Sequence, residues 1–439
     1  MSDLLFSSRN EIAAAQAASL AESLPRIAAA HPFYRRVLAS LKLAPGDFRS
    51  PEDLAKLPLT RKEDYVREPE AFRLSGEGLP EEMRAVWDVM YTTGSTAGQP
   101  TPFVSTSFDF FRILELNRNM LRLRGARPDD IIANLFPLTP RPHGAFIRVL
   151  HAAASLNLRV VSALPGNPSP YFTLGHRLDE VVEIVARSRA TILWGVPSYL
   201  RRVVARAEEM RADLRAVRLA FVTGEGLPEP ARDELTAVLR RIGTADAWVS
   251  VSYGATEMQG GMVECAPGSG YHNPAPEQIH VGVADPATGA PLPDGQEGLV
   301  TLSHLRRTGT VLLRYALGDV SVLSRDRCPH CGSWTDRLVA VPRRVDRLVK
   351  IKGTLVNPDL LVQAAEEALG AREFQFSIRR GADGMDVLVL TVGGKVQPGL
   401  AERIKAACGV TPAVEFASAE SLAELAQGWK AKRVVDQRA

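Results

Sequence analysis

Tyr91-Thr92-Thr93-Gly94-Ser95-Thr96-Ala97-Gly98-Gln99-Pro100 follows a hydrophobic run and crowds hydroxyl side chains and glycines into one short loop. Hydroxyls and backbone N–H groups packed this way can wrap a phosphate. The loop lacks the G-x-x-x-x-G-K-[ST] order, so it is not the ordinary nucleoside-triphosphatase loop. Two further cues lie far downstream, Tyr253-Gly254-Ala255-Thr256-Glu257 and Arg314-Tyr315-Ala316-Leu317-Gly318-Asp319. Between and around them, short apolar runs alternate with segments of helical periodicity. Ile131 to Phe136, Thr191 to Trp194, Leu219 to Val222 and Trp248 to Tyr253 read as strands, while 176–189, the segment from Pro197 and Pro228 to Leu239 read as helices. Such alternation predicts a layered α/β domain with its site at strand ends, where all three cues fall. A β-rich portion runs from about Gln278 to Leu323, with turns predicted at Pro293-Asp294-Gly295 and Leu317-Gly318-Asp319.

The predicted fold class is therefore α/β with a β-rich portion, in two domains: a large N-terminal domain, 1–343, and a small mobile α+β C-terminal domain, 344–439. The boundary is set near Pro342-Arg343-Arg344-Val345-Asp346, and the remainder reads strand, helix, strand, strand, helix and a basic tail. The chain of 439 residues is 45% hydrophobic and 23% charged, an ordinary globular composition. A net charge of +3 without an Arg-rich block gives no nucleic-acid signal. No apolar stretch approaches the roughly 20 residues of a membrane span, and Met1 to Asn10 carry no secretory pattern. Four cysteines in a chain this long do not make a disulfide scaffold, so a reducing cytoplasm is expected.

Cys328-Pro329-His330-Cys331-Gly332 places two thiols on a tight turn, a pattern used for zinc and for redox chemistry. The strand-to-helix setting of a redox motif is not evident. Cys265 and His272, in a Gly/Pro-rich loop upstream, would complete a four-ligand tetrahedral site; His330 competes as a ligand and His280 does so more weakly. The alternative is free cysteines near a surface turn. Cys408 reads as a plain core residue on a helix face.

Taken in order, these motifs resemble the phenylacetate-coenzyme A ligase branch of the adenylate-forming enzymes, over nearly the whole chain. The resemblance implies that Thr92, Thr93, Gly94, Ser95, Thr96 and Gly98 form the ATP phosphate loop and that Gly224 and Glu225 lie beside the adenine. It further implies that Tyr253 and Gly254 border adenine and the acyl pocket, that Thr256 contacts phosphate, and that Glu257 coordinates Mg²⁺. Asp319 would hold the ribose, with Arg344 reaching the same region; Asp346 would be the hinge, and Lys350 to Gly353 the segment that swings toward coenzyme A. Lys430, in the tail Trp429 to Val434, corresponds to the lysine that stabilises adenylate formation. Family members carry a metal site at the positions of Cys265, His272, Cys328 and Cys331, which implies a structural Zn²⁺ here. The implied acid pocket includes Phe136, His143, Trp194, Pro197, Tyr253 and Ala255, suited to an aromatic carboxylic acid.

The implied reaction is an ATP-dependent aryl- or arylacetic-acid:coenzyme A ligation through an acyl-adenylate, releasing AMP and pyrophosphate, by a homodimer that binds neither nucleic acid nor membrane. Alternatives are acyl transfer to an amine or carrier protein, and a noncatalytic nucleotide or aryl-acid binding protein. Two positions depart from the family pattern. Gln99 stands where a lysine or arginine is usual, and Arg347 follows Asp346 where a second acid is common.

Overall fold

The computed structural model describes residues 4–75, 79–91, 101–138, 144–166, 174–345, 349–351, 354–370, 372–381, 385–394, 398–418, 421–422 and 433–438. The chain divides into two units. The first comprises Met1–Ile132, Leu138–Val160 and Ser250–Arg344; the second comprises Ala133–Pro137, Val161–Val249 and Val345–Ala439. No described helix is long and apolar enough to cross a membrane.

In the first unit the sequence 11–40 forms two helices, Arg9–Ala30 and Pro32–Leu41. The first begins on a capping box, in which Ser8 accepts from the Glu11 N–H and the Glu11 carboxylate accepts from the Ser8 N–H at 2.8 Å. The break falls at His31, whose extended backbone suits the residue before a proline; its Nδ1 then accepts from Tyr34 N–H at 3.2 Å, capping the second helix.

The β-rich portion is antiparallel. Ile279–Ala284 pairs with Glu297–His304, which pairs with Tyr315–Ser324, and the short strand Arg343–Arg344 joins at Asp319↔Arg344. The predicted turn at Leu317-Gly318-Asp319 is instead a bulge inside one continuous strand. Partners jump from Leu299↔Val320 to Thr301↔Ala316, and Gly318 takes φ +81°. A side chain there would be strained, and an added Cβ would lie 2.7 Å from Arg344 Nη1.

Asp109 organises the neighbouring layer. It lies in the first turn of the helix Ser107–Leu123, accepts from Thr106 N–H at 3.0 Å, and also takes the N–H groups of Thr308 at 2.9 Å and Gly309 at 2.8 Å. An added Cβ at Gly309 would strike the Val104 carbonyl oxygen and come within 2.8 Å of Asp109 Oδ2. Because backbone cannot rotate away as a side-chain tip can, Gly309→Ala is expected to cost about 2 kcal/mol, read as a lower urea midpoint with an unchanged m-value.

In the second unit, Ile192–Gly195 and Leu219–Val222 are parallel neighbours and buried at every position, as expected of strands covered on both faces. The flanking helices bury one stripe each: Val181, Val182 and Val185 on Leu178–Ser188, and Leu200, Val203, Val204 and Ala207 on Pro197–Glu209. Pro197 occupies the first helical position, where its missing N–H costs nothing.

The C-terminal α+β part of this unit is a four-stranded sheet in the order Ala413–Ala417, Asp386–Gly393, Phe374–Arg380, Val434–Asp436. The helices Pro358–Leu369 and Leu400–Cys408 pack on it around Phe374, Phe376, Ile378, Leu388, Leu390 and Ile404. Cys408 packs against that core and donates its S–H to the Ile404 carbonyl at 2.9 Å.

Candidate active site and metal cluster

The strand Trp248–Ala255 turns back into Gly260–Val263, with Ala255 opposite Gly260 and Gly254 opposite Gly261. The approach is too close for side chains on one face: a Cβ at Gly261 would stand 2.9 Å from the Tyr253 carbonyl oxygen. Thr256–Met258 therefore form a single helical turn at the hairpin tip, closed by Gln259 in the left-handed conformation at φ +55°. Glu257 sits on that turn, half-buried.

Two distant motifs meet through side chains. Tyr253 donates its hydroxyl to Asp319 Oδ2 at 2.8 Å, and Tyr315 donates to Glu257 Oε1 at 3.1 Å. Arg344 approaches Asp319 Oδ1 with Nε at 3.3 Å and donates Nη1–H to the Leu317 carbonyl at 2.6 Å. Asp319 is 8% exposed and rides on the bulge, so the bulge turns a sheet residue into an aimed carboxylate. Burial, then the Asp319 charge, pushes the Tyr253 phenol well above its ordinary range, and burial with Glu257 does the same to Tyr315. Both phenols stay protonated donors. Arg314, at the head of the same motif, serves the scaffold instead. At φ +47° it points its guanidinium at the Ala55, Leu57 and Gly289 carbonyls, bracing the strand from outside.

His304 holds the Glu257 backbone. Leu312 N–H donates to His304 Nδ1 at 3.0 Å, so the ring proton is on Nε2, which donates to the Glu257 carbonyl at 2.9 Å. Burial, with Arg307 second, pushes this imidazole down to about 3, so it is neutral at any working pH. Neither His304 nor Tyr315 stands out in the sequence as a site residue. Tyr315 lies inside a motif, while nothing local marks His304, whose partner is 47 residues away.

The four metal-ligand candidates also converge. One ligand atom from each of Cys265, His272, Cys328 and Cys331 lies within 4.8 Å of every other. Cys265 Sγ is 3.7 Å from Cys328 Sγ, and Cys331 Sγ is 3.7 Å from His272 Nε2. Metal–sulfur bonds of about 2.3 Å at tetrahedral angles set ligand–ligand edges close to this length. His272 is fully buried, and its far nitrogen, Nδ1, meets Thr335 Oγ1 at 3.1 Å, with Ser333 Oγ 3.0 Å from Thr335. That second layer fixes the ring so that Nε2 faces the thiols. The hydrogen bond from Cys265 lowers the Cys331 thiol strongly, and His272 adds to it. The donor set fits a tetrahedral divalent metal. His330 is exposed, and neither it nor His280 belongs to the cluster among the described residues.

The remaining site residues lie in the second unit or outside the described residues. Gly224, at φ +92°, leads to Glu225, whose Oε2 accepts from Ser198 N–H at 3.1 Å at the N-terminus of the helix Pro197–Glu209. Phe136 is 1% and Trp194 3% exposed, Trp194 meeting Phe221 edge-on at 5.4 Å; Pro197 is buried at the start of the helix that follows. Lys350 lies in the short strand Val349–Ile351, opposite Leu355. Thr92, Thr93, Gly94, Ser95, Thr96, Gly98, Gln99, His143, Asp346, Gly353 and Lys430 fall outside the described residues.

Residues 80–305, more than half of the chain, match the family described as AMP-binding enzyme. The chain belongs to this family. As an AMP-binding enzyme it is an ATP-dependent, adenylate-forming ligase. Among curated relatives, a phenylacetate-coenzyme A ligase of Thermus thermophilus is 27% identical over 330 residues, 74% of this chain and 69% of the relative. One from Aromatoleum evansii is 24% identical over 454 residues, 98% of this chain and 96% of that protein. Among solved structures, a 2-hydroxyisobutyryl-CoA ligase in the postadenylation state with 2-HIB-AMP superposes with a TM-score of 0.77, covering 98% of this chain and 90% of that one at 23% identity. That likeness bears out the expected mixed α/β domain with a smaller α+β C-terminal part.

Proposed function

We propose that this AMP-binding enzyme is an aryl- or arylacetic-acid:coenzyme A ligase. The observation that carries the reading is the joining of its distant motifs by side chains, Tyr253 to Asp319 and Tyr315 to Glu257. Similarity to phenylacetate-coenzyme A ligases supports the choice of acid class and acceptor. In the first half-reaction a substrate carboxylate oxygen bonds to the α-phosphorus of ATP as the bridging P–O bond to the β-phosphate breaks, and pyrophosphate leaves. In the second, the coenzyme A thiolate attacks the acyl carbon and AMP leaves.

In this reading Thr92 to Gly98 cradle the phosphates, Glu257 holds Mg²⁺, Asp319 with Arg344 handles the ribose, and Gly224-Glu225 faces the adenine. Mg²⁺ there would offset the charge developing on the transferred phosphoryl group. Phe136, His143, Trp194, Pro197 and Ala255 line the acid pocket. The segment 344–439 acts as a mobile domain presenting Lys430 for adenylation and Lys350–Gly353 for thioester formation. The cluster of Cys265, His272, Cys328 and Cys331 holds a structural Zn²⁺. We place the enzyme in the cytoplasm as a homodimer.

The test is to supply ATP, Mg²⁺, coenzyme A and a panel of benzoates, phenylacetates and indoleacetates, measuring AMP, pyrophosphate and thioester. One or more aryl acids should yield all three. Adenylate and pyrophosphate without thioester would assign the acyl group to an amine or carrier protein, and binding without pyrophosphate release would leave only a sensor. Asp319→Asn, which removes the charge but keeps an acceptor for Tyr253, should raise the KM for ATP about tenfold, a loss of roughly 1.4 kcal/mol of binding. An unchanged KM in initial-rate measurements would remove Asp319 from the nucleotide site.

A further inference from the structure

Arg148 is an unusual core residue. It sits on the helix Gly144–Ala154 and is 7% exposed. Its guanidinium meets three elements at once. Nη2 donates to Gln259 Oε1 and lies 3.5 Å from Met90 Sδ, while Nη1 lies 3.3 Å from His151 Nδ1. Burial lowers its affinity for the proton, to about 10, with Asp88 acting in the opposite sense, so it remains a cation at neutral pH. Among the described residues, Asp88 Oδ2 has no hydrogen-bond partner. A buried charge held this way contributes little to stability alone, since an apolar side chain of similar volume often serves as well or better.

The contacts explain what the charge is used for. Gln259 is 4% exposed and closes the turn that carries Glu257. Its Nε2 donates to the Thr256 carbonyl at 2.6 Å, and its backbone N–H donates to the same oxygen at 3.1 Å. The side-chain amide is thereby fully oriented: nitrogen to Thr256, oxygen to Arg148. On the other side, Met90 belongs to the strand Val86–Tyr91, whose next residue is Thr92, the first of the hydroxyl-rich loop. The helix start is pressed onto the same methionine, for a Cβ at Gly144 would lie 2.7 Å from Met90 Sδ. One guanidinium thus ties the stem of the phosphate loop to the turn of Thr256 and Glu257.

We propose that Arg148 is a positioning residue for adenylation, holding the Thr256–Glu257 turn in register with the stem of the phosphate loop through Gln259. The proposal rests on the reading of Glu257 as the residue that serves Mg²⁺–ATP. It requires a planar, multiply donating cation, which lysine does not replace. His304 holds the Glu257 carbonyl independently, so loss of Arg148 should loosen the turn without releasing it.

The test is acid-dependent ATP–pyrophosphate exchange over a Mg²⁺–ATP titration, comparing R148M, R148K, Q259L and R148M/Q259L with E257Q as reference. R148M and Q259L should each lower kcat for exchange by about tenfold or more while changing the KM for ATP less than about threefold, the mark of an interaction that matters in the transition state. The double variant should be no worse than the poorer single, because both break one link, and R148K should recover only part of the rate. Wild-type exchange in R148M and Q259L beside an impaired E257Q overturns the proposal, as do additive losses in the double variant. Wild-type exchange in E257Q as well would instead overturn the reading of Glu257. Should R148M lose its near-UV circular dichroism, Q259L, which keeps the arginine and removes only its acceptor, decides alone.

Discussion

Glu257→Gln is expected to slow adenylate formation by on the order of a hundredfold and to shift its Mg²⁺ requirement upward, because the substitution removes charge from the proposed Mg²⁺–phosphate site while leaving the turn intact. The structure makes this a clean substitution. The amide oxygen of glutamine still accepts from Tyr315, which now approaches Oε1 at 3.1 Å. The backbone remains held by His304 Nε2, and Gln259 still closes the turn onto Thr256. A loss of rate without a loss of melting temperature would therefore report the chemistry. The measurement is pyrophosphate exchange against Mg²⁺ at fixed ATP; a curve superimposable on that of the unmodified enzyme would remove Glu257 from the metal's reach.

Removing the proposed Zn²⁺, by chelation or by Cys328→Ser, is expected to cost several kcal/mol, lowering the melting temperature by on the order of 10 °C. Cys328 is 1% exposed, and its sulfur lies 3.7 Å from that of Cys265. Three thiols and an imidazole with ligand atoms within 4.8 Å cannot all adopt their metal-binding states without a cation, since like charges so close repel. Without metal the thiols must take up protons or the loops must spread, and the strand pairing Arg337↔His272 and Leu338↔Tyr271 lies directly beside them. Elemental analysis should find one zinc per chain. Protein purified without chelators that contains no transition metal, and melts identically in its presence, would refute the site.

The legibility of this molecule in its sequence follows the range of the interactions. Leu219–Val222 is readable because a strand covered on both faces needs an unbroken apolar run, and the helix from Pro197 because proline marks a first turn. The convergence of Cys265, His272, Cys328 and Cys331 is readable because the Cys328–Cys331 pair is local and the donor chemistry limits its partners. Leu317-Gly318-Asp319 misleads because glycine followed by aspartate signals a turn, whereas the pairing of Ala316 and Val320 with Glu297–His304, and of Asp319 with Arg344, keeps the strand running and converts the local signal into a bulge. Arg148 leaves no signature at all. Its meaning comes from Gln259, 111 residues away, and an arginine in a helical pattern reads as surface.

The bulge at Gly318 has a consequence for how this enzyme can diversify. Asp319 is aimed by a sheet, not by a loop: its strand pairs with Glu297–His304 on one side and Arg343–Arg344 on the other. Its amide neighbours should consequently rank among the slowest in deuterium uptake, even in the ligand-free protein. Ribose recognition by Asp319, as proposed, would be anchored in this rigid grid and would tolerate insertion and drift in the connecting segments elsewhere. New acid preferences could then arise by redrawing pocket walls, with the carboxylate proposed for the ribose left undisturbed.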